Sequence, residues 1–201
     1  MTTAWFDKNV LPSSMVNANF KCLEESDHFD ALKACFDMVC DSETLLDLGC
    51  GAAEVASVFN NFDYTGADLP HIVEEVSKAK NPAAKYVKFN IEKDDLHFLS
   101  GKDVVLMNSF VSEIPNWYLA LSKVLDVAEK YIILHRQTVT KEKSSLIEYK
   151  TYGDLLTTNS VINYEDLVRL FEMNGFEKIY EANSFVHDGA CKSFVFKKQE
   201  E

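Results

Sequence analysis

The sequence contains no Cys-x-x-Cys pair, and its five cysteines, Cys22, Cys35, Cys40, Cys50 and Cys191, are an odd number. That argues against a disulfide framework or a thiolate metal site. No His/Cys/Asp cluster suggests a catalytic metal either. No apolar run reaches the ~18 residues that a membrane-spanning helix needs. The N-terminus has neither the basic region nor the apolar region of a secretory signal, so the expected location is cytoplasmic. Basic residues are scarce: 20 Lys and Arg against 32 Asp and Glu leave a formal net charge of −12. Such a balance opposes a non-specific grip on nucleic acid or an anionic membrane. Glycine is also sparse, with seven in all. Gly49 and Gly51 nevertheless stand one residue apart, and a pair so close needs a geometric reason.

The 201 residues, 47% of them hydrophobic, suffice for one well-filled core. The glycine pair sits inside the most informative stretch. Leu45, Leu46 and Leu48 surround Asp47 in a short apolar run without helical period, which reads as the end of a buried strand. Val55, Val58 and Phe59 then mark one face of a helix. Strand, glycine turn and helix form a pocket suited to a ligand that approaches backbone donors closely. Asp68 follows Asp47 by 21 residues, at the end of a second strand, Tyr64–Asp68. An acid there can accept hydrogen bonds from the two hydroxyls of a ribose. A turn residue before Pro70 is the alternative role for Asp68.

The rest of the chain alternates strands and helices. Further strands are predicted over Lys85–Phe89, Asp103–Asn108, Tyr131–Leu134 and Phe176–Glu181. Ser184–Val186 and Lys192–Phe196 add strand material around the turn His187–Gly189. Leu32, Cys35, Phe36 and Val39 give one face of an early helix, and Leu167, Leu170 and Phe171 one face of a late helix. This pattern predicts a doubly wound α/β fold with helices on both faces of a mostly parallel sheet. No helix separates the last two strands, so a hairpin at the sheet edge closes the fold. Residues 1–41 read as a helical arm that either packs on the body or acts as a lid. Residues 42–201 read as the main domain. Residues 137–160 lack regular pattern, and a long connection of that kind is a candidate substrate insert.

These motifs together resemble the class I S-adenosylmethionine-dependent methyltransferases. Asp47-Leu-Gly-Cys-Gly51 is similar to their first cofactor motif, with Ala53 where a third glycine often stands. Gly66-Ala-Asp-Leu69 is similar to the segment whose acid holds the ribose. Phe89-Asn-Ile91 resembles the segment that meets the adenine, with Asn90 in place of the usual Asp. Asp103–Asn108 resembles the fourth strand, and Tyr164–Phe176 the late helix and the turn into the sixth strand. The resemblance implies a seven-stranded sheet with an antiparallel closing strand. It implies S-adenosyl-L-methionine as cofactor and S-adenosyl-L-homocysteine as product, held by Asp47, Gly49, Cys50, Gly51, Asp68, Leu69, Asn90, Ile91, Asn108 and Ser109. Local electrostatics agree. A pyrophosphate would sit poorly beside Glu54, whereas the ammonium and sulfonium charges of S-adenosylmethionine tolerate it. Asp47 meets that ammonium, or instead ties the turn by accepting backbone N–H bonds.

Methyl transfer is an in-line displacement in which positioning and electrostatics carry much of the rate. A base is required only for a protonated acceptor. His135, at a strand end, is a candidate base, or a cap for the sheet. Glu113, after the fourth strand, is a candidate base or amine-orienting group, or a helix-start charge. Arg136, Tyr149, Tyr152 and His187 are candidate acceptor-binding residues. Lys141, Lys143 and Lys150 favour an anionic acceptor. The expected activity is methylation of an O or N atom of a small molecule, with an anionic or sugar-like acceptor as the expected class. An inactive cofactor- or protein-binding domain and a protein or nucleic-acid methyltransferase stand as alternatives.

Overall fold

A computed structural model describes Trp5 and residues 22–151 and 155–200. Five parallel strands form the body of the sheet: β1 (Thr44–Leu48), β2 (Asp63–Asp68), β3 (Lys85–Lys88), β4 (Lys102–Asn108) and β5 (Ala128–Thr140). They lie in the order β3-β2-β1-β4-β5. Two further strands, β8 (Phe176–Phe185) and β9 (Asp188–Lys198), complete a seven-stranded core. β9 is antiparallel to both β5 and β8, and lies between them. The closing hairpin is therefore inserted into the sheet, with β8 as the outer strand.

Successive strand residues face opposite sides, and each side has its own core. Leu46, Leu48, Val105, Met107, Ile132, Leu134, Phe194 and Phe196 face one layer. That layer is covered by α4 (Trp117–Leu125) and α5 (Tyr164–Met173). Phe171 of α5 stacks on Phe196 with ring centres 3.7 Å apart. Leu45, Val104, Leu106, Ile133 and Val195 face the other layer, with Leu32, Cys35 and Phe36 of α1 (Phe29–Asp37) and Val55 of α2 (Glu54–Val58). A third helical stretch, α3, joins Pro70–Ile72 and Lys78–Lys80 through a π-helical turn, Val73–Ser77.

Most of the described residues in the stretch expected to be irregular are instead strand. β5 runs for 13 residues, well beyond the predicted Leu134. β6 (Ser145–Thr151) and β7 (Leu155–Asn163) then form an antiparallel hairpin. Beyond the point where β4 leaves β5 at Asn108 and His135, β7 pairs in parallel with Val139 and Thr140 of β5. The buried positions of β7 are mostly polar: Thr157, Thr158 and Ser160, with Ile162 apolar at its end. The burial of β7 therefore leaves little apolar alternation in the sequence, although Thr suits strands well. Ser160 donates to the carbonyl of Ile114, which docks the hairpin over the loop that follows β4.

Candidate functional site

The carboxyl ends of β1, β2 and β4, with β5 at Arg136, open into one cavity of about 610 Å³. Ligands bind at this end of open α/β sheets. The first wall is the glycine turn. Gly49 and Gly51 both have left-handed φ, +73° and +51°. A Cβ on Gly49 would come within 2.4 Å of Phe110, so a side chain fits neither the backbone nor the space. Ala53 is also left-handed, at φ +56°, in the place where the motif often has glycine.

The turn does not present a nest of free donors. Gly49 and Cys50 both donate to the carbonyl of Ala67, and Ala53 donates to the carbonyl of Cys50. Gly51 donates to Asp68 Oδ2 at 2.9 Å. Those N–H groups are consumed internally, so the turn offers little to a phosphate. It offers close approach instead. Ser77, on the π turn of α3, braces it by donating to the Gly51 carbonyl at 2.6 Å. Ser77 was not identified from the sequence. π turns often occur at functional sites, but nothing in the local pattern marks one here.

Asp68 accepts from Gly51 with one carboxylate oxygen and from Leu69 N–H, at 2.7 Å, with the other. Desolvation pushes its carboxyl up to about 6, against the pull of those two N–H groups. Each oxygen keeps lone-pair capacity for a further donor. Asp47 behaves differently. It is 2% exposed and does not line the cavity. Tyr64 donates to its Oδ2 at 2.8 Å, and desolvation still raises it to about 7. Direct contact with a cofactor ammonium is thus replaced by a role behind the turn.

Cys50, Leu69, Phe89 and Ile91 line the same part of the cavity. Asn90 does not: its Oδ1 accepts from Glu92 N–H and its own N–H bonds Asp94, so the side chain ties off the loop after β3. The expectation that its amide meets an adenine is therefore revised. The apolar flanks Phe89 and Ile91 reach the cavity in its stead.

The other half of the cavity lies over β4 and β5. Asn108 accepts from Arg136 Nε at 2.8 Å, and Ser109 N–H bonds the carbonyl of His135. Ser109 and Arg136 are both left-handed, at φ +55° and +57°. Non-glycine residues in that region carry backbone strain, which concentrates at functional sites. Glu113 lines the cavity and is held by three donors. Tyr149 hydroxyl binds Oε1, while Trp5 indole N–H and Thr157 hydroxyl bind Oε2 at 2.9 and 3.0 Å. The carboxylate thereby joins the N-terminal arm, β6 and β7.

His135 is fully buried and does not line the cavity. Its Nδ1 meets Ser193 Oγ at 2.7 Å and its Nε2 meets His28 Nδ1 at 3.1 Å. Desolvation holds it well below the ordinary histidine value. Direct contact with an acceptor is excluded by that burial. The residue in the cavity is His28, at the start of α1. Its proximity to His135 across 107 positions left no signal in the sequence. His187 is exposed on the β8–β9 turn, outside the cavity lining. Tyr152 lies outside the described residues. Lys141, Lys143 and Lys150 are exposed and do not line the cavity, so they do not favour an anionic acceptor there. Among the described residues no His/Cys/Asp/Glu group could hold a metal, and no helix is long and apolar enough to cross a membrane.

No protein-family model matches this sequence, and no curated protein matches it. Solved structures do match. The sugar N-methyltransferase of Streptoalloteichus is 12% identical, with a TM-score of 0.68 over 95% of this chain and 94% of that one. Magnesium protoporphyrin IX methyltransferase of Synechocystis, with bound SAM, is 11% identical, with a TM-score of 0.66 over 99% and 100%. An amino pentose methyltransferase of Micromonospora echinaspora is 15% identical, with a TM-score of 0.64 over 91% and 99%. The strand order, the reversed strand between β5 and β8 and these matches agree: the chain has the class I S-adenosylmethionine-dependent methyltransferase fold.

Proposed function

We propose that this chain transfers a methyl group from S-adenosylmethionine to an O or N atom of a small-molecule acceptor. One observation carries the reading. The glycine turn spends its N–H groups internally, while Asp68, tied to that turn, keeps acceptor capacity at the cavity. That combination suits a ribose and a cationic amino-acid moiety better than a pyrophosphate. Asp68 accepts from the ribose hydroxyls, and Leu69, Phe89 and Ile91 provide apolar walls for the adenine. Glu54, whose carboxyl is raised by desolvation, supplies negative charge near the positive end. The cofactor brings an electrophilic methyl carbon; the protein positions it and excludes water.

Asn108 and Ser109, at the end of β4, hold the methionine part of the cofactor, and the acceptor half is built from Glu113, Arg136 and Tyr149. The bond from Trp5 to Glu113 supports the part of the 1–41 arm at Trp5 acting as a lid, while its helix α1 packs on the body, and the β6–β7 hairpin supports 137–160 as the acceptor-side insert. A cytoplasmic site of action fits the five unpaired cysteines. The test is transfer of a deuterated methyl group to a panel of small alcohols, phenols and amines, read by mass spectrometry. Labelled product from the parent, and none from Asp68→Ala, is expected. Cofactor binding with no labelled small molecule would favour a binding-only domain. Label found only on protein or RNA would point to a macromolecular acceptor.

A further inference from the structure

Both bases read from the sequence are tied to other groups of the protein. His135 is sealed behind the cavity, and Glu113 already accepts three hydrogen bonds. His28 is differently placed. It stands one residue before α1, so the helix start fixes its backbone. Its ring packs edge-on to Phe185, at 5.7 Å between centres, and lies 5.1 Å from the His135 ring. Its Nδ1 is taken by His135, which leaves Nε2 as the ring nitrogen available to the cavity.

Behind it runs a polar chain. His135 meets Ser193, and Ser193 meets Ser184 at 2.8 Å. Ser184 in turn accepts from the N–H of the left-handed Arg136. A base within hydrogen-bond reach of a second group that orients it is a common catalytic arrangement. The cavity wall adds a preference of charge. Glu25, Asp27, Glu54, Asp68 and Glu113 line it, against Arg136 as the sole Lys or Arg among the described lining residues.

We propose that His28 is the catalytic base of this site, taking the proton from a hydroxyl of a small acceptor that carries no negative charge. His135 and Ser193 are positioning residues that hold the His28 ring. The proposal rests on the methyltransferase reading above. As the acceptor oxygen forms its bond to the methyl carbon, the carbon–sulfur bond of S-adenosylmethionine breaks and its electron pair stays on sulfur. The hydroxyl proton passes to His28 Nε2, and the resulting imidazolium releases it to solvent. Burial, and then the Arg136 charge, lower His28 to about 4, with a hydrogen bond to its own backbone and then Asp27 opposing. The ring is thus neutral and ready to accept at neutral pH. A base this weak does not deprotonate an alkylammonium, but it takes the proton of a hydroxyl that becomes strongly acidic as its oxygen is alkylated.

Three catechols that differ in charge test this: catechol, dopamine and 3,4-dihydroxybenzoate. Calorimetry with S-adenosylmethionine comes first. A parent chain that does not bind it overturns the methyltransferase reading itself. With binding shown, the parent methylates hydroxyls of catechol and dopamine in preference to dihydroxybenzoate. His28→Gln keeps cofactor affinity and loses turnover by roughly 10²–10⁴-fold, the range for general-base catalysis. His135→Gln, or Ser193→Ala should the first not fold, shifts the acid limb of the pH–rate profile and the His28 titration seen by NMR. The base assignment is overturned by His28→Gln that keeps its turnover, by preference for the benzoate, or by a cofactor-bound parent that methylates no catechol. Unmoved pH profiles in both His135→Gln and Ser193→Ala overturn the positioning role.

Discussion

Gly51 donates its backbone N–H to Asp68 Oδ2 at 2.9 Å, which locks the glycine turn of β1 to the acid at the end of β2. The bond makes Asp68 both a cavity-facing acceptor and a structural tie. Its carboxyl sits at about 6. Ribose hydroxyls donate best to the ionised form, so binding stabilises ionisation. Cofactor affinity is therefore expected to be constant above pH 6 and to weaken as pH falls through that value. Titrations from pH 5 to 8 check this. Asp68→Asn should be weaker at pH 7 by about 1.5–3 kcal/mol, the worth of hydrogen bonds to a charged group, and should lose the acid limb.

Gly66 explains itself by crowding. A Cβ there would lie 2.9 Å from Cys50 Sγ, 3.0 Å from Tyr64 Oη and 3.1 Å from Tyr86 Cδ1. Gly66→Ala should cost about 1–3 kcal/mol, as overpacking does. Adding Cys50→Ala removes the sulfur and should restore part of the loss. Thermal melts of the single and double variants give the comparison.

Asp47 contributes a pH slope to stability. Its folded value of about 7 lies above the ordinary 3.8. The folded state therefore holds the proton more tightly than the unfolded chain. This favours folding at low pH, and the advantage is lost as pH rises from about 4 through 7. Asp47→Asn should flatten that part of the curve, measured as chemical denaturation midpoints between pH 5 and 8.

The stack of Phe171 on Phe196 joins α5 to the sheet, and both rings are fully buried. Phe171→Ala should cost about 3–5 kcal/mol. Its effect on cofactor affinity, in protein that remains folded, should be small, because neither ring reaches the cavity.

The body of the sheet was legible because its strands are buried on both faces. Leu45 and Leu46, or Val104 and Val105, point to different cores, yet both members of each pair are apolar. Asp68 was legible because strand ends and glycine turns have local grammar. β7 was not, since Thr157, Thr158 and Ser160 are buried while remaining polar. Nor was the fate of Asn90, whose side chain is claimed by a neighbour two residues on. The histidine pair depended on a contact between the start of α1 and the middle of β5. Such contacts have no period or motif; they appear only once the sheet has brought the elements together.

The most direct measurement is a calorimetric titration of S-adenosylmethionine into the parent chain and into Asp68→Ala at pH 7.5. Saturable one-to-one binding by the parent, at least tenfold weaker in a folded Asp68→Ala, is the predicted result. A folded parent that binds no S-adenosylmethionine, or a variant that binds it equally well, contradicts the account.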